Sequence, residues 1–427
     1  MEKDKRYARC RRAQIVEALL EYLNSLLVTG TFLSAILKQV GVSDSVAGIV
    51  SSFVSLACCA QLFSSLLVRP GRSVRKVCVI LGLVNQLMFA SLYLIPFIHI
   101  PQGVKVALFV VMILGAYFLL NVAAPVKFKW VMSFVDYRER GRFSAKKEIV
   151  SLLGGMTFTF LMGNLVDHYK AIGQEQTGFI LCGVTLFVVA VGFFISLLCI
   201  DEEPAESRAE ASGHTLRETF SILTKNRTVR LLLVLDILWK TALYISTPYY
   251  GTYLIGDLGF SLTAVSLFSI LYSVTRALVS PWFGRFADRK GWANLLILCM
   301  YIAGGAFLIN AFTRPETKLL YAAYYLFYAI SQAGINSGMS NITFDYVDMR
   351  DFTVAMGARN AVSGIVGFLI SLLGSAIVSA VQKNGSMVLG HTIYAQQILS
   401  VLTCVVLALT VLYLRKAIRK LPKVEQK

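Results

Sequence analysis

Several segments of this chain are apolar on every face over the full length needed to cross a lipid bilayer. The clearest runs from Thr177 to Ile200, TGFILCGVTLFVVAVGFFISLLCI, and contains no charged residue. About 20 such residues span the hydrocarbon core as a helix. Backbone groups in lipid have no water to bind, so a spanning segment must be a helix or part of a closed barrel. The segments are too long and alternate too little for barrel strands. They predict an all-α integral membrane protein.

The hydropathy pattern along the chain predicts twelve transmembrane helices. Because the number is even, both termini lie on the same side of the membrane. The expected limits are 14–37, 44–68, 77–98, 104–126, 148–168, 177–200, 231–254, 261–281, 293–313, 318–340, 360–381 and 392–414.

Positively charged residues are distributed unequally between the two sets of loops. The terminal side holds 33 of the 41 Lys and Arg residues, the opposite loops hold six, and two lie inside spans. Loops rich in Lys and Arg stay in the cytoplasm. We therefore expect a multi-pass protein of the cell membrane with both termini cytoplasmic. The same distribution accounts for the net charge of +17 without a nucleic-acid partner.

The longest polar stretch, residues 201–230, separates two groups of six spans. Its first part resembles a flexible linker in composition. Thr215 and Glu218 form a capping box that predicts a short helix in the membrane interface. The expected organisation is an N-terminal six-helix bundle (1–200), a cytoplasmic linker (201–230), and a C-terminal six-helix bundle with a basic tail (231–427).

The two halves also show a sequence repeat. The segment from Val135 to Glu139, VDYRE, matches VDMRD from Val347 to Asp351 at an offset of 212 residues, and Lys147 aligns with Arg359. Both copies connect a fourth span to a fifth within their half, which favours an internal duplication.

The loop after the eighth span reads GRFADRKG, from Gly284 to Gly291. This octapeptide resembles the loop motif of the major facilitator superfamily, which joins the second and third helices of each half. The matching positions are Gly284, Asp288, Arg289 and Gly291. The first-half loop keeps a glycine and basic residues but has no Asp.

The resemblance implies two pseudo-symmetric six-helix bundles and alternating access to one central site. It implies that spans 1, 4, 7 and 10 line the cavity. It also implies that Asp288 braces the closed state of the cytoplasmic gate, a role without a counterpart in the first half.

Charged residues inside spans are costly and need a reason, because a central charge costs at least about 2.5 kcal/mol. Counting along the helices places Asp236 and Arg276 at the same depth, which predicts a structural ion pair. Lys240 lies one turn deeper than Asp236 on the same face. Glu21, in the first span, is a plausible partner for Lys240, while Glu17 lies nearer the interface.

Uncharged polar residues complete the candidate site. Tyr328, Gln332 and Asn336 follow one face of span 10, Tyr244 extends the face of Lys240, and Asn24 aligns with Asp236 across the repeat. Any of these could instead pack one helix on another, as could Gln86. The candidate substrate-binding or coupling residues are Glu21, Asn24, Asn121, Asp236, Lys240, Tyr244, Tyr328, Gln332 and Asn336.

These features predict a secondary active transporter of a small polar, anionic or zwitterionic organic solute. No phosphate-binding loop for ATP is present, so an ion gradient or the solute's own gradient drives it. Glu21 is the expected proton-coupling residue, although sodium stays open. Efflux of amphipathic drug-like compounds is the alternative, and a non-transporting membrane sensor ranks lower. We expect no enzyme activity, metal or cofactor, and a monomer in the bilayer; the eight cysteines fit apolar packing.

Overall fold

The structure is a computed structural model that describes residues 2–67, 73–135, 140–202, 221, 223–347, 349–384, 387–388 and 391–421. Thr215, Glu218 and nearly all of the linker lie outside these residues. The described chain is almost entirely helical. A two-residue hairpin, β1 (Met387–Val388) paired with β2 (His391–Thr392), is its one sheet.

The helices before the linker follow the predicted spans closely. Short 3-10 turns occur at Cys58–Leu67 and Ile95–Phe97. The helices are α1 (Glu2–Leu27), α2 (Gly30–Val40), α3 (Asp44–Ser51), α4 (Phe53–Ala57), α5 (Val74–Ser91), α6 (Gln102–Met132), α7 (Arg140–Ala171) and α8 (Glu175–Leu198).

The helices after the linker also coincide with the predicted spans. A 3-10 turn at Thr247–Tyr249 interrupts the first predicted span of this half, and another occurs at Pro315–Thr317. The helices are α9 (Arg227–Tyr244), α10 (Tyr250–Gly256), α11 (Leu262–Lys290), α12 (Trp292–Ala311), α13 (Leu320–Tyr346), α14 (Met349–Lys383) and α15 (Ala395–Tyr413), with a π-helical turn at Leu414–Ile418.

The first predicted span is bent rather than straight. The axes of Arg6–Leu27 and Gly30–Val40 differ by 48°. Gly30 has a φ of +54°, a backbone conformation that is costly for residues with a side chain. The break therefore falls at the residue that can best adopt it.

Within the described residues, nine helices are long and apolar enough to cross a membrane, or ten if the bent first span counts as one. Helices α9 and α13 are not among them. The first carries Arg227, Arg230, Asp236 and Lys240, and the second is rich in Tyr, Ser and Asn. Spans 7 and 10, two of the four expected to line the cavity, are thus of mixed polarity.

Several helices keep an apolar surface on the side that faces away from the protein. On α8, Val184, Val188, Val191 and Ile195 form a stripe at helical spacing and are each 50–67% exposed. The opposite face of α8 is buried against a cluster around Trp130 and Phe134. An apolar stripe that is exposed along a whole helix indicates that this face contacts lipid rather than water.

Two compact units make up the chain. The first comprises residues 1–42, 57–214 and 261–266, and the second comprises 43–56, 215–260 and 267–427. Residues 261–266 join the first unit because Asp167 accepts hydrogen bonds from the backbone N–H of Leu262 (3.2 Å) and Thr263 (2.7 Å). This carboxylate caps the first turn of α11.

Residues 43–56 join the second unit through serine contacts with α14. The Ser371 hydroxyl donates to Ser52 Oγ at 2.7 Å, and the Ser55 hydroxyl donates to the Gly364 carbonyl at 2.9 Å. Gly48 and Gly374 lie on either side of the Tyr249 ring, where a Cβ on either glycine would overlap it.

Candidate functional site

A buried cluster of three charged side chains joins α1 and α6 in the first unit. Lys127 Nζ lies 2.9 Å from Glu17 Oε1 and 2.6 Å from Glu21 Oε2. Glu17 and Glu21 are four residues apart, so they occupy the same helical face and reach one ammonium. The side chains are 4% (Glu17), 24% (Glu21) and 17% (Lys127) exposed. One lysine therefore serves two carboxylates, and Glu21 is the one that keeps access to its surroundings.

This arrangement corrects the pairing expected from the sequence. Glu21 was expected to pair with Lys240, but its partner is Lys127. Glu17, placed by counting near the interface, is buried. Lys127 was assigned to a loop because the predicted fourth span stopped at residue 126, whereas α6 continues to Met132. Because the helix continues through Lys127, the lysine lies opposite the two glutamates.

Amide side chains form a second polar connection in the first unit. Asn24 Nδ2 donates to Gln86 Oε1 at 2.5 Å, Gln86 donates to Asn85 Oδ1 at 3.0 Å, and Asn85 donates to the Ala116 carbonyl at 2.7 Å. This chain ties α1, α5 and α6 together and is fully buried. Asn121 lies apart from it, donating to the Tyr117 carbonyl and accepting from Gln61. Both candidate asparagines therefore hold helices together in this structure.

The second unit contains a buried bidentate ion pair. Arg359 Nε and Nη2 lie 2.6 and 2.8 Å from the two carboxylate oxygens of Asp236, and Arg359 Nη1 donates to Thr343 Oγ1 at 2.5 Å. Arg359 is 1% exposed. The expected Asp236–Arg276 pair is therefore wrong. The predicted span 11 began at residue 360, so Arg359 was treated as a loop residue, whereas α14 begins at Met349.

Lys240 and Arg276 each lie against a tyrosine. Lys240 Nζ is 5.3 Å from the ring centroid of Tyr244, its neighbour one turn along α9. The Arg276 guanidinium is 5.9 Å from the ring of Tyr272, one turn away on α11. Both distances fall within the range of cation–π attraction.

On the predicted polar face of α13, Tyr328 contacts other aromatic rings. Tyr328 stacks on Tyr324 with centroids 5.6 Å apart and lies 6.1 Å from Tyr272 on α11. Gln332, one turn further along, is 4% exposed, and its Nε2 has no hydrogen-bond partner among the described residues. Asn336 follows at an exposed position. Tyr244, Lys240, Tyr328 and Gln332 thus belong to one unit.

The octapeptide motif lies at the junction of α11 and α12. The side chain of Asp288 lies outside the described part of the structure, and Arg289 is exposed. Among the residues that the structure describes, no neighbouring group lies within 4 Å of where a Cβ on Gly284 would be. Gly291 is the single residue between the two helices, with a φ of +85°. Such a tight reversal requires a residue that tolerates positive φ, which explains this second glycine.

Solved structures of transporters share this fold. A variant of the nucleoside transporter NupG superposes with a TM-score of 0.75 at 13% identity, covering 95% of this chain and 99% of that one. A bacterial homolog of the human lysosomal transporter Spinster gives 0.70 at 15% identity, covering 97% of both chains. A D-xylose–proton symporter gives 0.67 at 14% identity, covering 94% of this chain and 96% of that one. At these identities the likeness establishes the fold alone.

Sequence comparison gives a consistent result. No curated protein sequence matches the chain significantly. The family model described as Major Facilitator Superfamily matches residues 18–371 and again residues 240–426. Together these matches cover residues 18–426, which is nearly the whole chain and includes the octapeptide, the Asp236–Arg359 pair, and Glu21 and Lys127 of the first cluster. The chain is therefore an all-α, multi-pass membrane transporter that belongs to the Major Facilitator Superfamily.

Proposed function

We propose that this protein is a proton-coupled secondary transporter that moves a small organic anion or zwitterion by alternating access. The observation that carries the proposal is the Glu17–Lys127–Glu21 cluster. Two carboxylates share one ammonium, so the three groups hold one negative charge in excess. Lys147 acts on Glu17 as a more distant cation. A carboxylate without its own counter-ion in a low-dielectric interior is stabilised by taking up a proton.

The exposed fractions suggest which carboxylate exchanges the proton. Glu17 is 4% exposed at its side chain and Glu21 is 24% exposed. A group that loads and releases protons must reach water in at least one state of the transport cycle. Glu21 meets this requirement, while Glu17 keeps Lys127 in place.

Lys127 links protonation to the movement of the helices. When Glu21 is ionised, its 2.6 Å contact with Lys127 joins α1 to α6. When Glu21 is protonated, this ion pair weakens and Lys127 retains only Glu17. Helices α1 and α6 contain the first and fourth predicted spans, which line the cavity in this superfamily. The proton can thereby bias the two arrangements of the cavity, which is the condition for coupling.

The charge distribution supports an orientation as well. With 33 Lys and Arg residues on one set of segments and six on the other, we place both termini and the linker in the cytoplasm. We also propose that the protein lies in the cell membrane and is a monomer.

The proposal is tested with purified protein in liposomes that contain the pH indicator pyranine. Small organic acids are added outside one at a time, and internal pH is followed. We expect at least one acid to drive proton entry that requires the protein and disappears in Glu21→Gln. Protein-dependent movement of a labelled solute without any pH change would refute proton coupling. The absence of flux for every solute class tested would refute transport.

A control variant separates coupling from general damage. Glu175→Gln removes a carboxylate from the start of α8, where Glu175 lies 3.7 Å from Lys170 at the surface. This variant should behave like the wild type in every assay. Lys127→Gln leaves two carboxylates without their shared cation. Like Glu21→Gln, this single variant should abolish coupling.

A further inference from the structure

A group of aromatic and cationic residues in the second unit has no role in the proton-coupling cluster. It consists of Lys240, Tyr244, Tyr272, Arg276 and Tyr328, and is called here the tyrosine wall. The five residues come from α9, α11 and α13. All five are partly buried, so each can still contact a solute.

Lys240 is one of two cations in this wall, with Arg276, and is the one that we expect to bind a charged group of the solute. Its nearest acidic neighbour, Asp236, accepts both of its short ion-pair bonds from Arg359. Among the described residues Lys240 forms no ion pair, and its ammonium lies 5.3 Å from the Tyr244 ring. A partly buried ammonium that lies against an aromatic face and forms no ion pair is stabilised further when an anion binds beside it. Lys240 therefore favours a negatively charged group.

The rings around Lys240 provide flat surfaces. The ring of Tyr328 is 6.1 Å from that of Tyr272, and its phenol interacts electrostatically with that of Tyr244. The Arg276 guanidinium lies over the ring of Tyr272, 5.9 Å from its centroid. Aromatic rings prefer offset-stacked or edge-to-face partners at such distances. A planar ring packs on these surfaces better than a puckered one.

The wall faces away from lipid. On α11, Val274, Leu278 and Trp282 are 43%, 69% and 72% exposed. Tyr272 and Arg276 are each two residues from Val274, which is about 200° around a helix. They therefore lie on the side opposite the apolar lipid-facing surface. Residues there meet protein or an internal cavity, which is where a transported solute binds.

Gln332 adds a hydrogen-bond donor beside the rings. It lies one turn from Tyr328 on α13, is 4% exposed, and its Nε2 has no partner among the described residues. A buried amide N–H without a partner costs free energy unless a bound molecule satisfies it. It suits a polar substituent on the ring of the solute.

We propose that the transported solute is an aromatic or heteroaromatic carboxylate, with its carboxylate on Lys240 and its ring on Tyr244 and Tyr328. This inference rests on the transport function proposed above and narrows its substrate class. A neutral sugar leaves Lys240 without a counter-ion. An aliphatic acid leaves the rings without a planar partner.

The test measures binding of three matched probes to the purified protein in lipid nanodiscs by calorimetry. They are benzoate, cyclohexanecarboxylate, which lacks the planar ring, and benzamide, which lacks the charge. We expect benzoate to bind at least about tenfold more tightly than either of the others, as one good ionic or aromatic contact supplies. Lys240→Gln should weaken benzoate by a similar factor. Tyr328→Leu should remove the preference for benzoate over cyclohexanecarboxylate.

Matched controls come from cation–aromatic pairs outside the wall. Arg415 lies 5.4 Å from the ring of Tyr301, and Lys318 lies 5.7 Å from that of Phe260. Tyr301→Leu and Lys318→Gln should leave benzoate binding unchanged. Equal binding of benzoate and either companion probe, or no benzoate binding at all, would overturn the inference. Proton-coupled flux of another solute class would still support the proposed function. Conversely, if benzoate binds but no solute is transported, the proposed binding site is supported and the proposed transport function is contradicted.

Discussion

Arg359 and Asp236 form a bidentate ion pair between α14 and α9, with N–O distances of 2.6 and 2.8 Å and an arginine that is 1% exposed. Removing one partner of a buried pair leaves a charge without compensation and typically costs about 3–5 kcal/mol. We expect Asp236→Asn and Arg359→Gln each to lower the melting temperature and folded yield in detergent. The double variant should recover part of the loss.

Arg276→Gln is the control for this prediction. Arg276 matches the depth of Asp236 in the sequence but is not its partner, so this change should not rescue Asp236→Asn. Rescue by Arg276→Gln together with failure of Arg359→Gln would restore the pairing expected from the sequence.

Asp201 ties the start of the linker to the N-terminal helix. It lies 2.6 Å from Arg6 and 3.0 Å from Arg9, and its carbonyl accepts a hydrogen bond from Trp130. Burial favours a higher pKa for the Asp201 carboxyl, but hydrogen bonding and charge from Arg6, with the charge of Arg9, outweigh it and lower the pKa. Its contribution to stability is therefore present at neutral pH and fades as pH falls below about 4, where an unfolded Asp is protonated.

Melting curves of the wild type and Asp201→Asn across this pH range test the effect. Both arginines are more than half exposed, so we expect a difference of at most about 1 kcal/mol at pH 7. The gap should close as the pH is lowered. A gap that stays constant down to pH 3 would show that the carboxylate charge is not responsible.

Gly48 and Gly374 allow α3 and α14 to contact the ring of Tyr249, whose hydroxyl donates to the Ser371 carbonyl. An added methyl group at either glycine overlaps the ring. Overpacking of this kind costs about 1–3 kcal/mol, so Gly48→Ala should lower the melting temperature. Gly304→Ala on α12, where no neighbouring group of the described residues lies within 4 Å of the new Cβ, should be neutral or slightly stabilising. Equal effects at the two positions would contradict this account of the contact.

Much of the architecture is predictable from the sequence, because apolar length and loop charge are properties of single segments. Every predicted span coincides with one helix or with two or three consecutive helical segments. The bend in the first span is harder to predict from the sequence, since it depends on Gly30 adopting a positive φ. The octapeptide correctly indicated the family.

The ion pairs were not predictable, because they depend on where helices end and how they rotate. Lys127 and Arg359 each lie one residue outside a predicted span, so both were counted as loop cations that set topology. In the structure each belongs to a helix and holds a carboxylate of a neighbouring helix. The repeat carried a partial signal, since Asn24 aligns with Asp236 and Lys147 with Arg359. A charged residue at the end of a predicted span can therefore form an ion pair with a charged residue inside a neighbouring span.

Asp288 remains a prediction from the octapeptide. If it braces the closed cytoplasmic gate, Asp288→Asn should slow turnover while leaving protein level and solute affinity close to wild type. Initial rates in proteoliposomes, together with equilibrium binding of the same solute, separate these effects. Wild-type turnover in the variant would reduce the motif to a determinant of topology.

The central claim is that Glu21 couples solute movement to protons through the cluster with Lys127 and Glu17. The most direct measurement is accumulation of the solute identified by the pyranine assay, in proteoliposomes where an imposed pH gradient is the sole driving force. Wild type should accumulate the solute above its external concentration. Glu21→Gln should only equilibrate it, while still exchanging labelled for unlabelled solute. Accumulation by Glu21→Gln to the wild-type level would contradict the account.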